Sequence, residues 1–301
     1  MVNLAMTAWS HLSWRRLVAP VRLMLASAVL LSATGCAGLV SSAASRFADN
    51  LGMAVLNQPD PQIVSDGAPS YLLLLDSLLE GNPDEPALLS AAADLYAAYG
   101  AVFARDPERA KILTTRALGY AERAICLEYE AGCSWPSVPF QAFEASLPAL
   151  GEKQIGSASS YAVASLAYIR AHSDDWGALA RLPHIEALVL TLVPFTQDAD
   201  RGAMYNYLGI LNSLRPPALG GQPEVAREYF EKAIALSEGR DLAIKVEFAR
   251  GYARMLYEQE LHDRLLTEVL AADPEADGLT LTNTLAQRDA TQLLESGKDY
   301  F

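Results

Sequence analysis

The positions where this chain could do chemistry are two cysteines in ICLEYEAGC, Cys126 and Cys133, and two groups of polar side chains set into apolar helical sequence. An isolated even pair of cysteines reads as a disulfide in an oxidising compartment, and otherwise as two partly buried thiols. Gly132 would let the chain turn back towards a helix end at Cys126, and so short a loop pins a local turn more than it stabilises a fold. In YNYLGILNSLRPP, Tyr205, Asn206, Asn212 and Arg215 interrupt an apolar helix. In DLAIKVEFARGYARMLY, Lys245 and Arg250 are cationic groups in an acidic protein. Amides and cations on a concave helical face suit a small polar or carboxylate ligand. They equally suit helix ends satisfied by side-chain amides and cations paired with surface acids. Trp135, in CSWPSVPF beside the cysteine pair, reads either as a lid or as packing.

Catalytic signatures are lacking. The chain has no G-x-S-x-G, no H-E-x-x-H, no C-x-x-C and no phosphate-cradling glycine loop. His172, His184 and His262 are too far apart in sequence to suggest a metal site, so no catalytic residue, metal or cofactor is expected. The formal charge is −13 over 301 residues, and a surface of that sign repels phosphate backbones, which argues against nucleic acid as a partner. A hydrophobic fraction of 51% with 20% charged residues fits a globular core rich in Ala and Leu, with few strand-forming runs.

The N-terminus reads as an address. Arg15, Arg16 and Arg22 precede an apolar run, Leu23 to Leu31, too short to cross a bilayer and matching a secretory h-region. Ala33-Thr34-Gly35-Cys36 is similar to a bacterial lipobox, with alanine where leucine is usual, so Cys36 is the expected lipid acceptor. Several acyl chains on one residue give stable membrane anchoring. Ala37, unlike an aspartate there, points to the inner leaflet of the outer membrane, facing the periplasm. The alternative is an ordinary secreted protein cut near the same place.

Stepping outward to the scaffold, residues 107–122 (PERAKILTTRALGYAE) align without a gap on residues 223–238 (PEVAREYFEKAIALSE). Ala226, Phe230 and Ala233 carry the Ala-x3-Phe-x2-Ala spacing of the second helix of a tetratricopeptide repeat, and Tyr205, Leu208 and Gly209 match the start of its first helix. Between them, NSLRPPALGGQPE forms an elbow: prolines end one helix, glycines turn the chain and Pro223 opens the next. Looser units at 74–96 and 265–287, with a helical pair at 157–172 and 183–195, complete an all-α, superhelical array of degenerate tetratricopeptide-like helix-turn-helix repeats. Asp84 and Asp277 are expected to cap helices. Residues 39–56 form an amphipathic helix, and NQPDPQIVSDGAPS reads as an extended connection. The organisation is therefore a signal peptide over 1–35, a lipidated N-terminus with helix and linker over 36–70, and a repeat domain over 71–301.

DGAPSYLLLLDSLLEGNPD, NYLGILNSLRPPALGGQPE, HDRLLTEVLAAD and LTLTNTLAQRDATQLL together resemble the TatT family of periplasmic lipoproteins, associated with tripartite ATP-independent periplasmic (TRAP) transporters. The resemblance implies a homotrimer, a pore or cleft in each subunit, and association with the transporter's periplasmic substrate-binding protein. It further implies a small hydrophobic or organic-acid ligand. Of the family's residues only the lipid acceptor transfers, onto Cys36. The competing reading is a structural interaction scaffold of the envelope without a small-molecule site.

Overall fold

A computed structural model describes residues 50–301 apart from 216, 218 and 219, with the backbone alone at 198–200. The signal peptide, Cys36 and most of the expected helix over 39–56 lie outside the described residues, although 50–56 are helical. Among the described residues there is no strand. One compact unit extends from Leu56 to Phe301.

Its helices are α1 (Pro61–Gly81), α2 (Pro86–Val102), α3 (Pro107–Glu128), α4 (Phe140–Ser146), α5 (Ile155–Ala171), α6 (Leu182–Leu192), α7 (Asp198–Ser213), α8 (Pro223–Leu236), α9 (Leu242–Glu247), α10 (Gln259–Ala271) and α11 (Thr280–Tyr300). Proline opens α1, α2, α3 and α8, where its missing N–H would have had no helical partner. Aspartate caps the starts: Asp60 accepts from the Gln62 amide (2.9 Å), Asp106 from Glu108 (3.2 Å) and Asp241 from Ala243 (3.1 Å). Asp84 and Asp277 are not caps. Glu85 stands at the N-cap of α2, and Asp277 accepts from the Asn57 amide instead.

The expected extended connection before residue 70 is helix from Pro61 onward. Asp60 and Pro61 supply a complete start signal, and the interior Pro69 is tolerated because its lost backbone bond is partly replaced. Proline cannot donate to the Ser65 carbonyl, and the Tyr99 hydroxyl from α2 donates there at 3.4 Å. Helix α1 thus runs through residue 70, and the compact unit begins at Leu56.

Small side chains let the helices approach closely. On α5, Ser157, Ala158, Ala162, Ala164 and Ser165 are buried, and both α2 and α3 pack on it. Alanines are buried on both partners as well: Ala92, Ala93 and Ala97 on α2, and Ala117, Ala121 and Ala124 on α3. The repeat expected at 205–238 is the second close pair, α7 on α8. Leu208, Ala226, Phe230 and Ala233 are all 0% exposed. A Cβ on Gly209 would stand 2.8 Å from the Phe230 ring, so only glycine admits that ring here. In the elbow, helix α7 ends at Ser213, Gly220 takes a positive φ of 81°, and the Gln222 amide donates to the Asn212 carbonyl at 3.3 Å.

Helix α9 continues into a π-turn, Phe248–Ala253, which sequence periodicity does not reveal. At the far end of the unit, Asn57 donates to Asp277 (3.0 Å) and accepts from the Gly278 amide (2.6 Å), and α11 touches α1.

Candidate functional site

The expected site residues fall into three groups. Lys245 donates to Glu268 at 2.8 Å, a carboxylate held below its ordinary range by that bond and by Arg264. Arg250, carried by the π-turn, pairs with Glu247 and with Asp289 at 2.7 Å, and Arg170 from α5 reaches Glu247 at 3.2 Å. Burial alone would push the Glu247 carboxyl up, but Arg170 and Arg250 outweigh it and hold it low. Both cations are therefore paired with the chain's own carboxylates.

The second group is the α7 stretch. Tyr205 accepts from Lys232 Nζ at 2.7 Å and stacks on Tyr229. Asn212 Nδ2 donates to Glu186 on α6 at 2.9 Å and to the Leu208 carbonyl at 3.0 Å, tying two helices together. Asn206 is 9% exposed and its Oδ1 is buried without a hydrogen-bond partner; Arg215 Nε is likewise buried and unpartnered among the described residues.

The third group is structural. Cys126 and Cys133 are joined by a disulfide. Trp135 is packing and no lid: 3% exposed, it donates to Ser146 Oγ at 3.0 Å and lies against Tyr129, Phe143 and Tyr161. His184 packs on Phe143, His172 stacks on Tyr168, and His262 is fully buried beside Asp263. No group of three or more His, Cys, Asp or Glu among the described residues could hold a metal ion.

A different constellation emerges from residues remote in sequence. Asp94 on α2 accepts from Ser160 Oγ on α5 at 2.9 Å, Tyr207 projects from α7, and Asp241 caps α9. Asp94 is exposed and Tyr207 and Asp241 are half-exposed, yet burial is the first cause raising each of the three above its ordinary pKa. The charges of Asp241 and Asp94 both act on the Tyr207 hydroxyl, raising it further. That hydroxyl has no hydrogen-bond partner among the described residues. On α2, Ala87, Ala91 and Ala98 share the exposed face with Asp94, leaving a small apolar strip on either side of the acid.

Sequence reasoning passed over Asp94, Tyr207 and Asp241. The one local signal was a lone acid in the alanine-rich run AAADLYAAYG.

Separately, α1 presents an unpartnered apolar stripe. Ile63, Tyr71, Leu74 and Leu78 lie on one side at 58%, 38%, 51% and 42% exposure, opposite the buried Leu72 and Leu79.

Compared with known proteins, the chain finds no match among curated sequences. A family model, TAtT, described as the TRAP transporter T-component, matches residues 57–301, which is the compact helical unit almost from end to end. With the match covering the whole described fold, the chain belongs to the TatT family and is an accessory component of a TRAP transporter.

Proposed function

We propose that this protein is a lipid-anchored periplasmic partner of the transporter's substrate-binding protein, and that it holds a small molecule in the concave space walled by α2, α5, α7 and the start of α9. The observation carrying this reading is the Tyr207 hydroxyl, which has no hydrogen-bond partner among the described residues and is pushed up by burial first and then by the charges of Asp241 and Asp94. The helix pairs α2/α3 and α7/α8, with the Ala-x3-Phe-x2-Ala spacing at Ala226, Phe230 and Ala233, support a tetratricopeptide-like superhelix as the frame of that space. The apolar stripe of α1 supports association of subunits, a homotrimer in this reading. The lipobox-like Ala33–Cys36 supports anchoring through Cys36 to the outer membrane.

Native mass spectrometry of protein purified from its own host tests the ligand reading. A co-purifying small molecule released on unfolding is expected; an empty chain that retains only protein partners would favour the envelope scaffold. For the anchor, Cys36→Ser should move the protein from the membrane to the soluble fraction, and labelled lipid still attached to that variant would exclude the assignment.

A further inference from the structure

Tyr257 occupies a backbone position that suits glycine. The helix continued by the π-turn ends in a Schellman turn, in which the Glu258 amide donates to the Ala253 carbonyl at 2.9 Å and the Tyr257 amide to the Arg254 carbonyl at 3.2 Å. Tyr257 takes the left-handed place in that turn, with a φ of 56°, where any Cβ is strained. Burial does not offset the strain, because the side chain is 68% exposed. Its ring instead stacks on Tyr300 of α11, with centroids 5.4 Å apart and planes 16° from parallel, and Phe301 meets it edge-on. Tyr300 is itself held, since its hydroxyl donates to the Arg254 carbonyl at 3.1 Å and the Arg254 guanidinium lies over its ring at 4.2 Å. Two remote segments thus present an open aromatic platform that already carries one cation.

The charges on the adjoining turns point to what could cover it. Glu258, Glu260, Glu295 and Asp299 are in no ion pair among the described residues, and Glu258 accepts only the Tyr252 hydroxyl there. Against them stand Arg254 and Lys298, so the neighbourhood is acidic, like the chain as a whole at −13. An exposed ring face attracts a cation, and unpaired carboxylates supply its hydrogen-bond acceptors. A second copy of this chain would bring up a surface of the same sign and is disfavoured. Strain retained at an exposed aromatic residue is a mark of function. From the strain, the stack and the unpaired acids, we propose that Tyr257 and Tyr300 form a docking platform for an arginine- or lysine-bearing surface of a partner protein. The choice of partner rests on the functional reading above, in which it is the transporter's substrate-binding protein.

Tyr257→Gly separates structure from docking, because glycine takes the same backbone without strain. The substrate-binding protein of the host's transporter is purified and titrated calorimetrically into the intact mature protein. Binding should weaken as salt is raised, since the attraction is between opposite charges. Tyr257→Gly should weaken it at least about tenfold, as loss of a central aromatic contact does, without lowering the melting temperature. Glu260→Lys should weaken it as well, whereas Glu130→Lys, the same charge change in the disulfide loop, should leave it unaltered. Tyr257→Gly binding as tightly as the wild type would overturn the platform and leave the partner reading standing. A lower melting temperature in Tyr257→Gly would make the tyrosine a structural residue, and a smaller mass by light scattering would make the platform a contact between copies; either result overturns the proposal. No binding by the wild type would refute the partner reading, and this docking site with it.

Discussion

Gly209→Ala should destabilise the protein, although alanine is the better helix former. The added Cβ would lie 2.8 Å from Phe230 Cδ1 and Cε1 and 2.9 Å from Cγ. Carbon atoms settle at about 3.5–4 Å, so the ring would have to retreat by roughly 0.7 Å or more. It has nowhere to go: Phe230 is 0% exposed and stacked on Phe248 with centroids 5.1 Å apart, and Phe248 is itself backed by Tyr252. Overpacking of this kind costs about 1–3 kcal/mol, against a helix-propensity gain of about 1 kcal/mol. Gly119→Ala provides the control, since it makes the same chemical change inside α3 with nothing within 4 Å of the new methyl. Gly119→Ala should raise stability by about 0.5–1 kcal/mol, and Gly209→Ala should fall below it by about 1–3 kcal/mol. Urea unfolding resolves that gap, and in a thermal melt each kcal/mol is worth about 2–4 °C for a unit of this size. Adding Phe230→Leu should restore part of the loss only in the Gly209→Ala background. If the two alanine variants proved equally stable, the close approach of α7 to α8 would be wrong.

Asp94→Asn and Asp241→Asn should each raise the unfolding midpoint at neutral pH. Both carboxyls have raised folded pKa values, so their contribution is full below the unfolded pKa and lost as pH rises through the folded one; the gain on substitution should fade as the solution is acidified. Glu247→Gln has the opposite sign. Its folded pKa is depressed, the stability it contributes is present above the unfolded pKa and lost as pH falls through the folded one, and breaking its pairs with two arginines should cost about 3 kcal/mol at neutral pH by urea unfolding, and less in acid. The double change Cys126→Ser, Cys133→Ser should cost only about 2 kcal/mol, since the closed loop is short, and thiol titration of the unreduced wild type in denaturant should find neither cysteine reactive. Leu74→Glu with Leu78→Glu should reduce the mass measured by light scattering to that of a monomer with an unchanged melting temperature; an oligomer persisting in that variant would remove α1 from the interface.

The best-read part of the sequence was the α7/α8 pair, because its determinants are local. Gly209, Ala226, Phe230 and Ala233 sit at spacings fixed by helix geometry, and their burial follows from those spacings alone. The start of α1 was equally local but was misread, since Pro69 and Gly67 looked like a linker while the group that rescues the Ser65 carbonyl is a tyrosine on another helix. Lys245 and Arg250 looked available because Glu268 and Asp289 come from later helices, although Glu247, the other partner of Arg250, lies only three residues before it. The same distance in sequence hid the site. Asp94, Tyr207 and Asp241 have no mutual spacing that a motif could capture, and only in the fold do the two acids act on the Tyr207 hydroxyl.

The hydrogen bonds of Asn57 to Asp277 and Gly278 span 220 and 221 residues, and they set α1 beside α11. In an open array of helical repeats the terminal units have one neighbour each, so they fray first and stability accumulates unit by unit. Here the first and last helices are each other's neighbours. Releasing Asn57 would free both Asp277 and the Gly278 amide, so the two ends of the compact unit are coupled. Closing so long a loop adds little entropy beyond that of a shorter one, because each doubling costs only about 0.6 kcal/mol. The consequence falls on kinetics: a contact spanning 220 residues is expected among the last the chain forms.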